Sequence, residues 1–276
     1  MNKERKREIT RYQLKAVVFD IQAECKKLKK ALSEAGMCVI VPFFGLQVER
    51  TLQEMLEGTD LVPEECLILT NCEQHAKLAE RMNMAVAGCM EGHFEVPKQV
   101  PLLEEPEEVS VDYLNQVYCH AQKIPATIAE TERCFICELT GEDTDALYEM
   151  LQDEEVARYL PAKAGTREEE INKLLSYMAH VYSFFGYGYW GIFNKSNGEL
   201  IGRAGFQEGI YPLKAGYVIK RSEWGKGLAT EVLNGLVQYA EEELDCTEIH
   251  ADIDERNTAS LRVAEKCGLI CNRLRN

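Results

Sequence analysis

The chain has 276 residues, enough for two domains of ordinary size, and 46% of them are apolar. No run of about 18 apolar residues occurs, so no membrane partner is expected. The formal net charge of −15 argues against a nucleic acid as the principal partner. An acidic site for cationic amines would agree with this charge, and so would an ordinary acidic surface.

The eleven cysteines are scattered and stand mostly in apolar segments. The basic N-terminal residues lead into no apolar signal core, so we expect reduced, buried thiols in a cytoplasmic protein. Cys134 and Cys137 have the spacing of half a zinc site. No second pair of Cys or His residues accompanies them, so no metal is expected.

The first part of the chain alternates short apolar segments with amphipathic ones. This pattern is typical of a small parallel α/β sheet with right-handed crossovers. Strands are predicted over residues 14–21, 37–42, 66–70 and 84–89, and helices follow the first three strands up to residue 35, over 47–56 and over 73–82.

Two of these strand ends resemble the haloacid-dehalogenase-like hydrolases: one ends in Asp20 and the other leads into Asn71. Those enzymes use a nucleophilic Asp, a second Asp two residues later and an acidic pair that holds magnesium. Here Gln22 and the pair Asn71-Cys72 stand where acids are expected, so neither magnesium binding nor leaving-group protonation is supplied. We interpret residues 1–95 as a degenerate Rossmann-like module with a structural or regulatory role; a phosphatase is the alternative.

Residues 96–130 are acidic and contain prolines, which predicts a linker with a short helix over 111–120. A strand over 131–139 begins a second domain that comprises residues 131–276. The elements predicted after it are helices over 143–152 and 171–185, a hairpin of strands over 189–194 and 200–207, a strand over 213–219, a helix from 228, a strand over 248–253, a helix over 259–266 and a strand from 269.

A glycine-containing turn joins the strand that ends at Ile219 to the helix that begins near Leu228. Gly225 and Gly227 let the backbone approach a ligand, and Lys226 adds positive charge beside it. The helix N-terminus presents several unpaired N–H groups at the positive end of the helix dipole. This geometry suits a phosphate or pyrophosphate.

Residues 131–276 resemble the GNAT superfamily of N-acetyltransferases, most of all the branch that acetylates ribosomal-protein N-termini and related amines. Trp224, Gly227 and Ala229 occupy the defining positions of the family's turn, the first of which is more often Gln or Arg. The resemblance implies an α+β fold with a mixed, mostly antiparallel central sheet. The matching segments are residues 216–219, 224–231, 257–260 and 264–268.

The resemblance also implies acetyl-CoA as the donor and a primary amine as the acceptor, which attacks directly in a ternary complex. Val218 and Ile219 would pair with the pantetheine arm and expose an N–H to the thioester carbonyl. Asn257 would bind the pantetheine or the neighbouring backbone, and Ser260 would protonate the leaving thiolate. Either of these two residues is equally able to serve as a helix cap. The pyrophosphate would be held by the backbone N–H groups of Trp224, Gly225, Lys226, Gly227, Leu228 and Ala229.

On the acceptor side the chain departs from the family. Many members carry a Glu on the strand before the turn, but here Lys214 stands near that place and would repel a cationic acceptor. Glu208 is the nearest upstream acid. Either the acceptor pocket or the core would contain Tyr187, Tyr189 and Trp190.

A single strand follows the last helix, where the family normally has two. The sheet is therefore expected to end on an exposed edge or to be covered by another chain, as in a homodimer. The alternative function is a catalytically impaired module that binds CoA or a partner.

Overall fold

The computed structural model describes residues 9–42, 54, 56–90, 100–160 and 166–275, without the side chains of residues 179, 183 and 184. The chain forms two compact units. One comprises Tyr12–Ala126, and the other comprises Thr127–Asn276 with the segment that ends at Arg11. Within the described residues, no helix is long and apolar enough to cross a membrane.

The unit of Tyr12–Ala126 is built on a parallel sheet with the strand order β2-β1-β3-β4-β5. The residues of β3 and β4 are all buried, as expected for strands covered on both faces, and the predicted parallel sheet is confirmed. The strands are β1 (Ala16–Asp20), β2 (Cys38–Ile40), β3 (Cys66–Thr70), β4 (Ala85–Cys89) and β5 (Leu102–Leu103), and the helices include α1 (Lys26–Glu34), α2 (Glu73–Arg81) and α3 (Val111–Gln122).

The segment over residues 96–130, predicted as a linker, contributes packed elements in its described part. β5 extends the sheet beside β4, and its Leu103 is buried. The predicted helix over 111–120 is confirmed as α3, which packs on β4 and buries Leu114. Burial of these apolar side chains outweighs the polar composition of the segment. The helix predicted over 47–56 lies largely outside the described residues.

The second unit contains a mixed sheet with the strand order β12-β11-β10-β9-β8-β7-β6. Neighbouring strands from β6 to β10 are antiparallel, whereas β11 is parallel to both β10 and β12. The predicted mixed, mostly antiparallel sheet is confirmed. Its strands are β6 (Thr127–Glu130), β7 (Cys134–Cys137), β8 (Tyr189–Asn194), β9 (Leu200–Phe206), β10 (Leu213–Ile219), β11 (Ile249–Asp254) and β12 (Ile270–Leu274).

The strand predicted over 131–139 is present as the shorter β7, whereas residues 131–133 form a turn between β6 and β7. The N–H of Cys134 donates to the Thr131 hydroxyl at 3.0 Å, and the Thr131 N–H donates to the Cys134 carbonyl at 2.9 Å. These bonds reverse the chain before β7 begins. The helices of this unit include α4 (Thr144–Met150), α5 (Glu154–Ala157), α6 (Arg167–Phe185), α7 (Leu228–Glu243) and α8 (Thr258–Lys266).

The mixed sheet carries helices on both faces. On one face, side chains of α4, α5 and α6 form a buried cluster with Phe193 and Val218. On the other face, the fully buried Trp190 meets Phe206 and Tyr239 of α7 edge to face, with ring centroids 6.2 and 5.4 Å apart. Of the two places predicted for Trp190, the core is therefore the one it takes.

Strand β12 forms one edge of this sheet. Its Ile270 and Leu274 side chains are 47% and 42% exposed. The predicted exposed edge is therefore present in the described part of the chain. Coverage of this edge by a second copy stays a prediction.

Candidate active site

Strands β10 and β11 separate to form a fork in the mixed sheet. Their parallel pairing covers only Leu213 with Ile249 and Lys214 with His250. Beyond these pairs, β10 continues along β9 as far as Ile219, and β11 continues along β12. The backbone of β10 that faces β11 is therefore open from Tyr217 onward.

The hydrogen bonds to β9 determine which peptide groups face the fork. The Lys220 N–H donates to the Ile201 carbonyl of β9 at 2.7 Å. Because peptide groups alternate in direction along a strand, the even-numbered residues of β10 face β9, and Tyr217 and Ile219 face the fork.

The two strand residues predicted to pair with pantetheine therefore differ. The peptide groups of Ile219 point into the fork. Those of Val218 point toward β9, where Val218 pairs with Arg203. Tyr217, which sequence reasoning did not select, takes the place beside Ile219. The register of β10 against β9 decides this, and a single strand pattern does not reveal it.

The turn after β10 ends at an open helix N-terminus. Gly225 and Gly227 have φ angles of 76° and 79°, in the left-handed region that glycine adopts without strain. Gly227 is the N-cap of α7, and no side chain caps this helix. In the described part of the chain, the backbone N–H groups of residues 225–230 have no hydrogen-bond partner. Open N–H groups at the positive end of a helix dipole are able to bind an anion, and we call residues 225–230 the anion site.

Trp224 and the side chain of Lys226 take roles that differ from those predicted. The Trp224 N–H already donates to the Arg221 carbonyl at 3.2 Å, so it is not available to a phosphate. The Trp224 indole N–H donates to the Ile219 carbonyl at 2.7 Å and braces the end of β10. The Lys226 ammonium binds both carboxylate oxygens of Glu223 at 2.9 Å, which neutralises its charge.

A carboxylate in the first turn of α7 ties this helix to the turn between β6 and β7. Glu231 accepts hydrogen bonds from the Thr131 hydroxyl at 2.6 Å, from the Arg133 N–H at 2.7 Å and from Arg133 Nε at 2.6 Å. Arg133 Nη1 also donates to the Lys226 carbonyl at 2.9 Å. We call Thr131, Arg133 and Glu231 the Glu231 clasp. It positions the anion site, and its arginine offsets a charge that would otherwise repel an anion.

Burial acts against ionisation of the Glu231 carboxyl, whose side chain is 16% exposed. Desolvation raises the pKa of Glu231, but the hydrogen bonds from Thr131 and Arg133 and the arginine charge outweigh it, so the pKa lies below its usual value. Glu231 therefore stays ionised at neutral pH.

Ser260 lies beside the fork in the first turn of α8. Its hydroxyl is 2.9 Å from the hydroxyl of Tyr217 on β10. Burial raises the pKa of Tyr217, and the bond to Ser260 opposes this only in part, so the phenol stays protonated. Asn257 is the N-cap of α8 and accepts a hydrogen bond from the Ser260 N–H at 3.1 Å. Asn257 is therefore the helix cap. The Ser260 hydroxyl takes no part in this bond and contacts Tyr217 instead.

On the face of the sheet opposite Ser260, the Lys214 ammonium is paired with a carboxylate. It binds Asp252 of β11 at 2.7 Å, and Asn272 of β12 donates to the other oxygen of Asp252 at 2.8 Å. The bonds from Lys214 and Asn272 lower the pKa of Asp252. This ion pair offsets the charge with which Lys214 was expected to repel a cationic acceptor.

No metal centre is present among the described residues, which contain no group of three or more His, Cys, Asp or Glu side chains placed to hold an ion. All eleven cysteines are free thiols. Cys134 and Cys137 are buried in β7, and burial raises the pKa of Cys134 to about 11. A thiol in this state is a packing residue and a poor metal ligand.

The fork and the glycine turn after β10 are together able to bind one long ligand. Open peptide groups of β10 can pair with an extended amide chain, and the anion site can hold a phosphate at the end of that chain. The hydroxyl pair of Tyr217 and Ser260 supplies a proton donor between the two arms of the fork.

Comparison with known proteins agrees with this geometry. The profile of the acetyltransferase (GNAT) domain matches residues 133–270. The uncharacterized N-acetyltransferase YoaA of Bacillus subtilis (strain 168) is 29% identical over 144 residues, which cover 51% of this chain and 81% of YoaA. The uncharacterized N-acetyltransferase p20 of Bacillus licheniformis is 28% identical over 137 residues, which cover 48% of this chain and 76% of p20.

Among solved structures, a GNAT-family acetyltransferase from Bacillus anthracis is 25% identical, with a TM-score of 0.45, over 51% of this chain and 81% of the other. The profile match spans half of the 276 residues and includes the fork, the glycine turn and all of α8. The chain therefore belongs to the GNAT family of acetyltransferases.

Proposed function

We propose that the protein transfers an acetyl group from acetyl-CoA to a primary amine, either on a small molecule or at a protein N-terminus. The observation that carries this proposal is the fork between β10 and β11, which ends at the uncapped N-terminus of α7. Acetyl-CoA joins a thioester to a pyrophosphate through an amide-containing arm, and so matches the order of these features.

The donor would be held mainly by backbone groups. The peptide groups of Tyr217 and the N–H of Ile219 would pair with the pantetheine arm as an added strand would, because the Ile219 carbonyl already binds Trp224. The N–H groups of Gly225, Gly227 and Ala229, with those of the residues between them, would bind the pyrophosphate. The side-chain amide of Asn257 would bind the arm from α8, while its carbonyl oxygen caps that helix.

The acceptor amine would attack the thioester carbonyl directly. The C–N bond forms, the C–S bond breaks, and an N–H group of β10 that faces the fork stabilises the oxyanion. Ser260 would pass a proton from water to the departing thiolate through its hydroxyl, which is thereby restored, and Tyr217 would orient that hydroxyl through their 2.9 Å contact. Proton donation of this kind contributes about 10²- to 10⁴-fold to a rate.

A dedicated general base is not required for this reaction. An α-amine with a pKa near 8 is partly unprotonated at neutral pH and loses its second proton readily to water after attack. Asp252 lies near the fork, but Lys214 and Asn272 occupy its two oxygens, and its pKa is lowered. Asp252 is therefore a weak base, and we assign it to electrostatic support of the acceptor site.

Calorimetry with acetyl-CoA and an assay for released CoA test the proposal. We expect binding in the micromolar range typical of enzyme substrates and CoA release that depends on an added amine. Absence of binding at millimolar acetyl-CoA would contradict the proposal. Binding without turnover on any amine would favour the alternative of a CoA-binding module.

A further inference from the structure

Arg203 is a cation on the face of the mixed sheet that lies opposite Ser260 and carries Lys214. It lies in the middle of β9, opposite Val218 of β10, and is partly buried. Its guanidinium carbon is 5.5 Å from the ring centre of Tyr189, in cation–π contact. Val218 belongs to the cluster beneath α4, α5 and α6. Because paired residues of neighbouring strands point to the same face, Arg203 lies on that face as well.

Arg203 lacks the partner that its neighbours have. Between residues 127 and 275, each other described Lys or Arg has a carboxylate oxygen within 4.0 Å, except the exposed Arg262 and Lys266 of α8. No described carboxylate lies that close to Arg203. A partly buried guanidinium without an acid is costly unless a bound anion completes it.

The tyrosines around Arg203 do not supply the missing charge. Burial raises the pKa of Tyr177 to about 12, and it also raises the pKa of Tyr182 and Tyr189, so all three phenols are neutral. The hydroxyl of Tyr177 accepts the Tyr189 N–H at 2.7 Å, and the hydroxyl of Tyr182 donates to the Tyr189 carbonyl at 2.7 Å. Both are engaged with the backbone of β8 and leave the donors of Arg203 open.

The Tyr189 ring, which contacts Arg203, also packs against the backbone of β10. A Cβ atom on Gly216 would lie 2.7 Å from the Tyr189 hydroxyl, so only glycine lets this ring rest against the strand. Gly216 directly precedes Tyr217, which faces the fork. The open guanidinium therefore lies on the sheet next to the place where the acetyl group would be transferred.

A second unpaired charge lies on the same side. Glu208, in the connection between β9 and β10, raises the pKa of both Tyr177 and Tyr189 and is partly exposed. Among the described residues, no Lys or Arg nitrogen lies within 4.0 Å of its carboxylate. The tyrosine group is thus flanked by one open cation and one open anion that do not bind each other.

We propose that Arg203 binds a carboxylate of the acceptor, so that the acceptor is an amine that also carries a carboxylate, such as an amino acid or a short peptide. This inference rests on the proposed function. A guanidinium binds a carboxylate through two parallel hydrogen bonds, which fixes its orientation. Glu208 attracts the ammonium form of the same acceptor, so a zwitterion matches both open charges. Arg203 is a specificity-determining residue in this assignment.

The test compares free amino acids and dipeptides with their C-terminal carboxamides. We expect the wild-type protein to acetylate the acids with a kcat/KM about 10- to 100-fold above that of the amides, the range of a charge-assisted hydrogen-bond pair. Arg203→Gln should remove this preference by raising the KM of the acids and leaving that of the amides. Arg203→Lys should restore part of it, and Arg262→Gln, which removes another unpaired arginine, should leave it intact.

Calorimetry with the CoA-saturated protein provides a readout that does not need turnover. Tighter binding of an acid than of its amide, lost in Arg203→Gln, would support the proposal. Equal binding and equal turnover of acids and amides would overturn it while the proposed acetyl transfer stands. An equal effect of Arg203→Gln on acids and amides would likewise overturn it. Absence of acetyl-CoA binding would refute the proposed function itself.

Discussion

The polar residues at the ends of the two sheets are arranged in opposite ways. In the parallel sheet, Oδ2 of Asp20 at the end of β1 accepts the Thr70 hydroxyl of β3 at 2.5 Å and contacts His75 Nδ1 at 2.6 Å. Asp20 and Thr70 end the two neighbouring strands between which the strand order reverses, the place where α/β sheets bind ligands. These side chains nevertheless bind one another.

In the mixed sheet, the groups beside the fork are left open. The N–H groups of residues 225–230 have no partner within the described residues, and Arg203 has no acid. Open N–H groups at a helix N-terminus suit an anion, and a partly buried guanidinium without an acid is costly unless an anion binds it. A suitable residue type at a strand end or helix end is therefore weak evidence for a ligand site until its hydrogen-bond partners are known.

The largest effect on acetyl transfer is expected from Gly227→Asp. The carboxylate would enter the anion site, and an L-residue at a φ angle of 79° is strained. We expect the Kd for acetyl-CoA, measured by calorimetry, to rise by about 100-fold or more. Gly36→Asp is the matched control, because Gly36 has a φ angle of 81° in the other unit. Normal binding by Gly227→Asp would show that the anion site lies elsewhere.

Ser260→Ala should act on catalysis and not on donor binding. Loss of the proton donor to the thiolate should lower kcat about 100-fold, with less than about a threefold change in the Kd for acetyl-CoA. Tyr217→Phe should lower kcat by a smaller factor, because it removes the 2.9 Å contact that orients the Ser260 hydroxyl. Steady-state kinetics checks both variants. An unchanged kcat in Ser260→Ala would remove Ser260 from the mechanism.

Glu231→Gln should weaken the anion site through the clasp and lower stability as well. We expect a loss of about 1–3 kcal/mol in the free energy of unfolding at pH 7 and a rise of a few-fold in the Kd for acetyl-CoA. Denaturant titration and calorimetry measure these changes. A variant as stable as the wild type would show that the clasp contributes nothing.

The stability effect of Glu231 should depend on pH in one direction. Because the folded-state pKa of Glu231 is lowered, the carboxylate stabilises the fold fully above its unfolded pKa of about 4.3 and progressively less as the pH falls through the folded value. The difference between wild type and Glu231→Gln should therefore shrink in acid. A difference that grows as the pH falls would contradict the assigned hydrogen bonds.

The smallest effect on acetyl transfer is expected from Asp20→Asn in the parallel sheet. Its bonds to Thr70 and His75 mark it as a structural residue, so the variant should lose about 1–3 kcal/mol of stability. Acetyl-CoA affinity should remain unchanged in calorimetry. A phosphatase assay with a generic phosphate ester tests the alternative function of this unit, and activity lost in Asp20→Asn would revive it.

Residue patterns in the sequence predicted most of the strands and helices and the position of the proposed donor site. Apolar residues at strand and helix spacing predicted β3 and β10 to the residue, because each pattern reports burial of one continuous segment. Gly225 and Gly227 indicated a turn with positive φ angles, since a backbone requirement of this kind is written at the position itself. Composition predicted a linker over 96–130, but composition does not show which apolar side chains pack against a sheet.

The pairing of separate strands and helices determines which polar groups are left open and which bind other groups of the protein. Val218 and Tyr217 are neighbours in the chain, yet the register against β9 turns one toward the ladder and the other toward the fork. Glu231 finds Arg133 almost a hundred residues away, whereas Arg203 finds no acid among the described residues. Such pairings depend on distances between separate strands and helices, and local residue patterns carry no information about those distances.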